Sequence, residues 1–284
     1  MWIVFSLLNA FFESLKDVQS KRKLVHVDEY VVGWAMNAFA GVLLFVVVVF
    51  NGIPVITQKF WIALAVRGII NFFTTVMYMR AIRETDLSLT VPLLTFTPAL
   101  LLITSPIFVG EYPSFLGYVG VLLVVIGSYL LNIGEFREGW LAPFRALVRN
   151  RGSRIMVLIA VIWSISSNFD KIGLQGSSPL FWAASIHLFL GITLFPFMIS
   201  RVRMQGLRAR WRGLAIVGVV KALSAGFQML AVSMTLVPYA ISVKRMSAVM
   251  SVLWGHYHFK EKGMRARLLG TIIMVGGVIL ITLS

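Results

Sequence analysis

Cysteine is absent from the 284 residues, which excludes a disulfide framework, a thiolate zinc site and a thiol nucleophile. Acidic side chains are scarce as well: 11 Asp and Glu stand against 26 Lys and Arg. Charged residues of both signs reach only 13%, where soluble domains carry about a quarter. No Gly-x-x-x-x-Gly-Lys-Ser/Thr run occurs, so nothing points to ATP hydrolysis by this chain. Acid–base pairs and metal ligands at usable spacing are also missing, which argues against an enzyme and against a resident metal or cofactor. The nearest thing to a ligand pair, His256 and His258, is spaced i, i+2 and would point to different sides of a helix.

What is present is apolar. Hydrophobic residues make up 58% of the chain and the mean hydropathy is +0.87, the composition of an all-α integral membrane protein in contact with the lipid bilayer. A net charge of +15 would suggest nucleic acid in a soluble chain. Here the basic residues collect in short stretches between apolar runs, a topology signal that leaves no nucleic-acid partner to invoke. The opening stretch "MWIVFSLLNAFFESLKD" lacks a basic leader and a small-residue cleavage site, so it reads as a first spanning helix, not a signal peptide.

A crossing helix needs about 20 mainly apolar residues. Ten segments qualify, near 2–19, 29–50, 59–81, 88–109, 114–133, 155–174, 179–200, 212–235, 238–258 and 266–283. The odd-numbered connections hold 19 of the basic residues, whereas the even-numbered ones and both termini hold Lys59 alone. The positive-inside rule then makes the odd connections cytoplasmic and puts both termini outside, in a multi-pass protein of the cell membrane. The longest connection, 136–153, is basic and separates two halves, 1–135 and 154–284.

Shifting the chain by 150 residues lays one half on the other without gaps from about Gly33 onward. "FAGVLLF" (39–45) meets "FLGITLF" (189–195), Gly68 meets Gly218, Glu111 meets Glu261, Gly120 meets Gly270 and Gly127 meets Gly277. With five spans each, the halves must lie in opposite orientations, the arrangement of many secondary transporters.

"FVGEYPSFLGYVGVLLVVIGSYLL" and "FKEKGMRARLLGTIIMVGGVILI" resemble the end of the EamA-type repeat, with a Gly/Phe-x-Glu element followed by a Gly-studded helix. That resemblance implies the ten-helix drug/metabolite transporter superfamily, whose members move small metabolites by alternating access. It also implies a central cavity surrounded by the third, fourth, eighth and ninth helices. Many such proteins are held to keep their termini in the cytoplasm, the reverse of what the charges indicate; the charge bias is followed here. A shorter stretch, "SVKRMSAVMSVL", resembles the ninth helix of the plastid triose-phosphate and related phosphate translocators. By that resemblance Lys244 and Arg245 would grip a phosphate.

Six cations fall within or at the ends of spans: Lys16, Arg67, Lys171, Lys221, Lys244 and Arg245. Each costs about 2.5–3.5 kcal/mol on the insertion scale, so an intramembrane charge marks a functional site by default. Lys16 and Lys171 have acidic neighbours, Asp17 and Asp170, and read as locally paired. The others sit on polar stripes: Arg67, Asn71, Thr75 and Tyr78 on the third span, Lys221, Ser224 and Gln228 on the eighth, Lys244, Ser247 and Ser251 on the ninth. These stripes suggest a wet chamber for a small organic anion, phosphorylated metabolites included, with Arg67, Asn71, Tyr78, Lys221, Gln228, Lys244, Arg245 and Ser247 as its walls. An exporter of amino acids or other neutral or zwitterionic metabolites, or a lipid-headgroup flippase, is the alternative. Asp170, Glu13 and His187 are the candidates for proton coupling or gating, His187 also reading as a satisfied interior histidine. Glu111 and Glu261 read as caps for the span that follows each, and Pro92 and Pro98 as a break or bend in the fourth span. The expected assembly is a monomer or homodimer.

Because the chain has no thiol of its own, its orientation can be read with single cysteines. Ser284→Cys should react with an impermeant maleimide added outside intact cells, and Gly139→Cys only after permeabilisation. The opposite pattern would reverse the topology.

Overall fold

The structure, a computed structural model, describes residues 1–84, 91–133, 151–201, 204–250 and 264–284. Among them ten α-helices follow one another with no strand: α1 (Trp2–Leu24), α2 (Glu29–Asn51), α3 (Gln58–Glu84), α4 (Phe96–Phe108), α5 (Phe115–Ile133), α6 (Arg151–Gln175), α7 (Pro179–Arg201), α8 (Met204–Met234), α9 (Val237–Lys244) and α10 (Met264–Thr282). Lipid offers the backbone no hydrogen-bond partner, so a crossing segment must satisfy its own amides, and helices do so. By length and composition α2, α3, α6, α7 and α8 can each cross a membrane, while α4, α5 and α10 are shorter apolar helices. Their outward faces carry large exposed apolar side chains such as Phe50, Ile103, Ile192 and Ile272. α1 is different. Ser6, Asn9, Glu13, Lys16 and Ser20, spaced to share one face, are all buried against the rest of the bundle.

Two expected spans are interrupted. Ahead of α4 the chain makes a 3-10 turn, Val91–Thr95, and Pro98 falls in the first turn of α4 itself. α9 stops at Lys244 because the Arg245 and Met246 amides donate three residues back, to Ser242 O and Val243 O, before helix resumes over 247–250. That tightening breaks the Lys244–Ser247 stripe expected from regular spacing. Ser251, His256, His258, Glu261 and the 136–150 part of the linker lie outside the described residues.

Packing obeys the repeat. α2 lies against α7 and α5 against α10, each facing its own counterpart, while α1 packs on α8 and α3 on α6, contacts that exchange under the same operation. Individual glycines follow it too. Gly41 sits against the Leu188 backbone and its counterpart Gly191 against Ala38; Gly68 meets the Phe189 ring and Gly218 the Phe39 side chain. Gly120 backs onto the Gly277 carbonyl and Gly127 onto the Gly270 carbonyl. Lys171 donates to Val232 O and Lys21 to Ile82 O, so the 150-residue register extends to α1 and α6. A pseudo-twofold axis thus runs through the bundle between α2 and α7, and between α5 and α10.

A Cβ at Gly127 would stand 2.7 Å from Gly270 O and 2.7 Å from the Met274 amide nitrogen, closer than backbone can accept. Gly127→Val should therefore destabilise the detergent-solubilised protein by about 1–3 kcal/mol or more, the usual range for overpacking, measured as a lower unfolding temperature. A neutral outcome would mean that α5 and α10 are not packed this closely.

Candidate functional site

Between the halves lies a cavity of about 100 Å³, enough for several water molecules or the charged head of a small solute. Repeat-equivalent positions from the two halves line it together: Asn37 and His187, Asn71 and Lys221, Tyr78 and Gln228, Glu13 and Trp163. The chamber therefore lies on the pseudo-twofold axis, and at that axis Asn37 Oδ1 and His187 Nδ1 meet at 2.8 Å. His187 is buried and hydrogen-bonded, with Asn37 held in turn by its own amide donating to Gly33 O at 2.8 Å.

One carboxylate organises the centre. Glu13 Oε1 lies 2.9 Å from Lys16 Nζ and 3.2 Å from Lys244 Nζ, and its Oε2 accepts from Ser224 Oγ at 2.7 Å. Lys16 also pairs with Asp17 at 3.0 Å, whose Oδ1 accepts from the Tyr78 hydroxyl at 2.8 Å. The Lys16 ammonium sits 5.2 Å from the Tyr78 ring centroid, and that ring packs on Trp163 at 5.4 Å. Lys244 completes its coordination on Gln228 Oε1 at 2.8 Å. These contacts join α1 and α3 of the first half to α6, α8 and α9 of the second.

A second ion pair lines the same cavity. The Arg67 guanidinium lies 2.9 Å from Asp170 Oδ2 and also donates to Ser166 Oγ. Asp170 is held from behind by the Trp182 indole N–H at 3.0 Å. Side-chain exposures of 11% and 2% for Arg67 and Asp170 make this a buried bridge. Lys221 and Arg245 are left. Both line the cavity, and among the described residues neither makes a hydrogen bond or ion pair through its side chain; Arg245 is only 8% exposed, with its Nε unsatisfied. Asn71 also lines the cavity. Five cations thus face the chamber, answered by Glu13, Asp170 and, just behind Lys16, Asp17.

Most of the residues singled out from sequence converge here: Arg67, Asn71, Tyr78, Asp170, His187, Lys221, Gln228, Lys244, Arg245 and Glu13 all line the one cavity. Ser247 does not, for the helical break given above. Several expectations need correcting. Lys16 pairs with Asp17 as expected, yet it is 3% exposed and central to the site, where it also meets Glu13. The polar stripe of α1 carried that information, masked by its apparent self-neutralisation. Lys171 pairs with Glu111 at 3.2 Å and not with Asp170. Glu111 caps α9, not the following α5: its Oε2 accepts from the Val237 amide at 2.7 Å. The walls also come from α1, α2, α6 and α7 in addition to α3, α8 and α9, and α4 contributes Thr97 alone. Among the described residues no group of three or more His, Asp or Glu is placed to hold a metal ion.

A family model described as the EamA-like transporter family matches the chain twice, over residues 1–133 and 150–283. A solved structure titled only "Crystal structure of protein" superposes with a TM-score of 0.75 over 99% of this chain and 95% of its own, at 16% sequence identity, a likeness of fold. None of the curated proteins matches this sequence.

Removing one member of a buried ion pair strands the other. Arg67→Met should cost about 3–5 kcal/mol of stability, and the double variant Arg67→Met/Asp170→Asn less than Arg67→Met alone. Additive unfolding-temperature losses in that cycle would show that the two groups are not coupled.

Proposed function

The chain belongs to the EamA-like transporter family, and from that premise we propose that it moves a small organic anion across the membrane, with the central cavity as its binding site. Family members are transporters of the drug/metabolite superfamily. The observation that carries the anion reading is the pair of cationic groups, Lys221 and Arg245, which among the described residues face the chamber without a partner while Lys16, Arg67 and Lys244 are paired. A planar guanidinium and a mobile ammonium together suit a carboxylate or a phosphate. Asn71 and Gln228 supply neutral polar groups on the same walls.

In this reading the solute's anionic group binds to Lys221 and Arg245, and the two halves rock about it to expose the cavity to each side in turn. Glu13, held between two lysines, and Asp170, held by Arg67, gate that motion or carry a proton with it. His187 joins the halves at the axis. The orientation in the cell membrane follows the charge bias of the connections.

One observation favours a second reading. Glu13 stands inside the cavity, and a carboxylate there also suits the ammonium group of an amino acid. The exporter of zwitterionic metabolites is the alternative for that reason.

Thermal unfolding in the presence of a dicarboxylate, a sugar phosphate and an amino acid separates the two. A ligand at 100 times its Kd stabilises by about 2.7 kcal/mol. Losing one charge-assisted hydrogen bond of about 1.5–3 kcal/mol should weaken anion binding by about 10–100-fold in Lys221→Met and in Arg245→Met. Anion shifts that survive both substitutions would refute the site. An amino-acid shift lost in Glu13→Gln, with no anion shift, would establish the second reading instead.

A further inference from the structure

The connections after α2, α4, α6 and α8 share one face of the bundle, and the two halves are tied together there. Thr57 of the first half donates its amide to Gly176 O of the second at 3.0 Å, and the Ser114 amide donates to the Tyr239 hydroxyl at 3.2 Å. The strongest of these ties is ionic. Lys171 Nζ donates to Val232 O and Thr235 O, each at 2.8 Å, and lies 3.2 Å from Glu111 Oε1. Two of the ammonium's three N–H donors go to carbonyls, and the carboxylate answers its charge. The other oxygen of Glu111 accepts from the Val237 amide at 2.7 Å, one of the amides the first turn of α9 leaves without an intrahelical partner.

One carboxylate from the first half thus holds the ends of three helices of the second: α6 through Lys171, α8 through that lysine's carbonyl contacts, and α9 directly. Side-chain exposures of 9% for Glu111 and 16% for Lys171 keep water from competing well for either group. Neither residue lines the central cavity. The repeat supplies an independent sign that the position matters. Lys21 is the counterpart of Lys171 and donates to Ile82 O, the counterpart of Val232 O, at 2.5 Å on the opposite face. The same lysine-to-carbonyl grip is therefore built into both ends of the bundle.

We propose that Glu111 and Lys171 form the fastening that holds this face shut between the two halves, and that they are positioning residues for transport without touching the solute. A transporter that exposes one cavity to two sides must release such a tie in part of its cycle. Here the tie rests on two charged groups that can part together, each retaining a hydrogen-bond partner in its own half or in the adjoining water. The inference needs the family's transport activity and is independent of which solute the cavity takes.

The cysteine-free sequence makes the test direct. Tyr112 of the first half and Met234 of the second are 74% and 52% exposed at this face. Spin labels at Tyr112→Cys and Met234→Cys report the separation of the halves by pulsed EPR in nanodiscs. One short distance is expected for the otherwise native chain. Lys171→Met and Glu111→Gln should each add a longer-distance population of about 10% or more, while Lys171→Arg keeps the native distribution. Distributions unchanged in both neutralised variants overturn the proposal, even if their unfolding temperature falls, because a purely structural bridge would lower stability without opening the face. A Lys171→Arg distribution as broad as that of Lys171→Met overturns it as well. If the neutralised variants cannot be purified, Glu111→Asp decides, since shortening the reach by one methylene should also open the face and an unchanged distance refutes it.

Discussion

Charge inside an apolar bundle has to be answered, and the answer shapes this protein. A lone lysine or arginine among hydrocarbon costs several kilocalories per mole, which a carboxylate, a set of carbonyls or water must offset. Lys16 and Lys244 share Glu13, Arg67 takes Asp170, and Lys171 takes Glu111 together with two carbonyls. Two of these four bridges, the ones that share Glu13, use α1, which explains why the least apolar helix of the chain is packed against the rest of the bundle. Among the described residues Lys221 and Arg245 fall outside the arrangement, lining the cavity with no side-chain hydrogen bond or ion pair.

Symmetry and chemistry are divided between different levels of the structure. The duplicated backbone gives the cavity its place and outline, since equivalent residues of the two halves line it. Side-chain substitution then makes it one-sided. Asn71 is matched by Lys221, Tyr78 by Gln228, Glu13 by Trp163 and Arg67 by Val217. A strictly symmetric pair of halves would place like charges opposite one another across the axis, and those would repel at short range. Divergence at these positions lets an acid from one half face a base from the other, as Glu13 faces Lys244 and as Asp170 faces Arg67.

Much of this was legible in the sequence because it depends on spacing. Ten apolar stretches, a 150-residue register and polar residues at helical intervals place Arg67, Asn71, Lys221 and Gln228 on one chamber, since a regular helix fixes which residues share a face. The register even aligned Asn37 with His187, which the structure brings into hydrogen-bond contact. What failed did so where the helix or the connection is irregular. Ser247 left its expected face through the tight turn at 245–246. Glu111 missed its expected helix because Gly110, at a φ of 72°, and three successive amides on Ser105 O fold the connection back toward α9. Lys16 read as paired with Asp17, and nothing along α1 revealed that Glu13 would be shared between Lys16, Lys244 and Ser224. Tertiary partners of that kind are set by which helix faces which, and spacing along one helix carries no such information.

The glycines of α5 and α10 have a mechanical consequence. Where Gly120 and Gly127 meet the carbonyls of Gly277 and Gly270, main chain rests on main chain, with the Ile281 and Met274 side chains packed against the same glycines. Such a seam has no slack, and displacing α5 against α10 forfeits close contact along its whole length. The last helix of each half is therefore fixed against its counterpart at a spacing that only glycine allows.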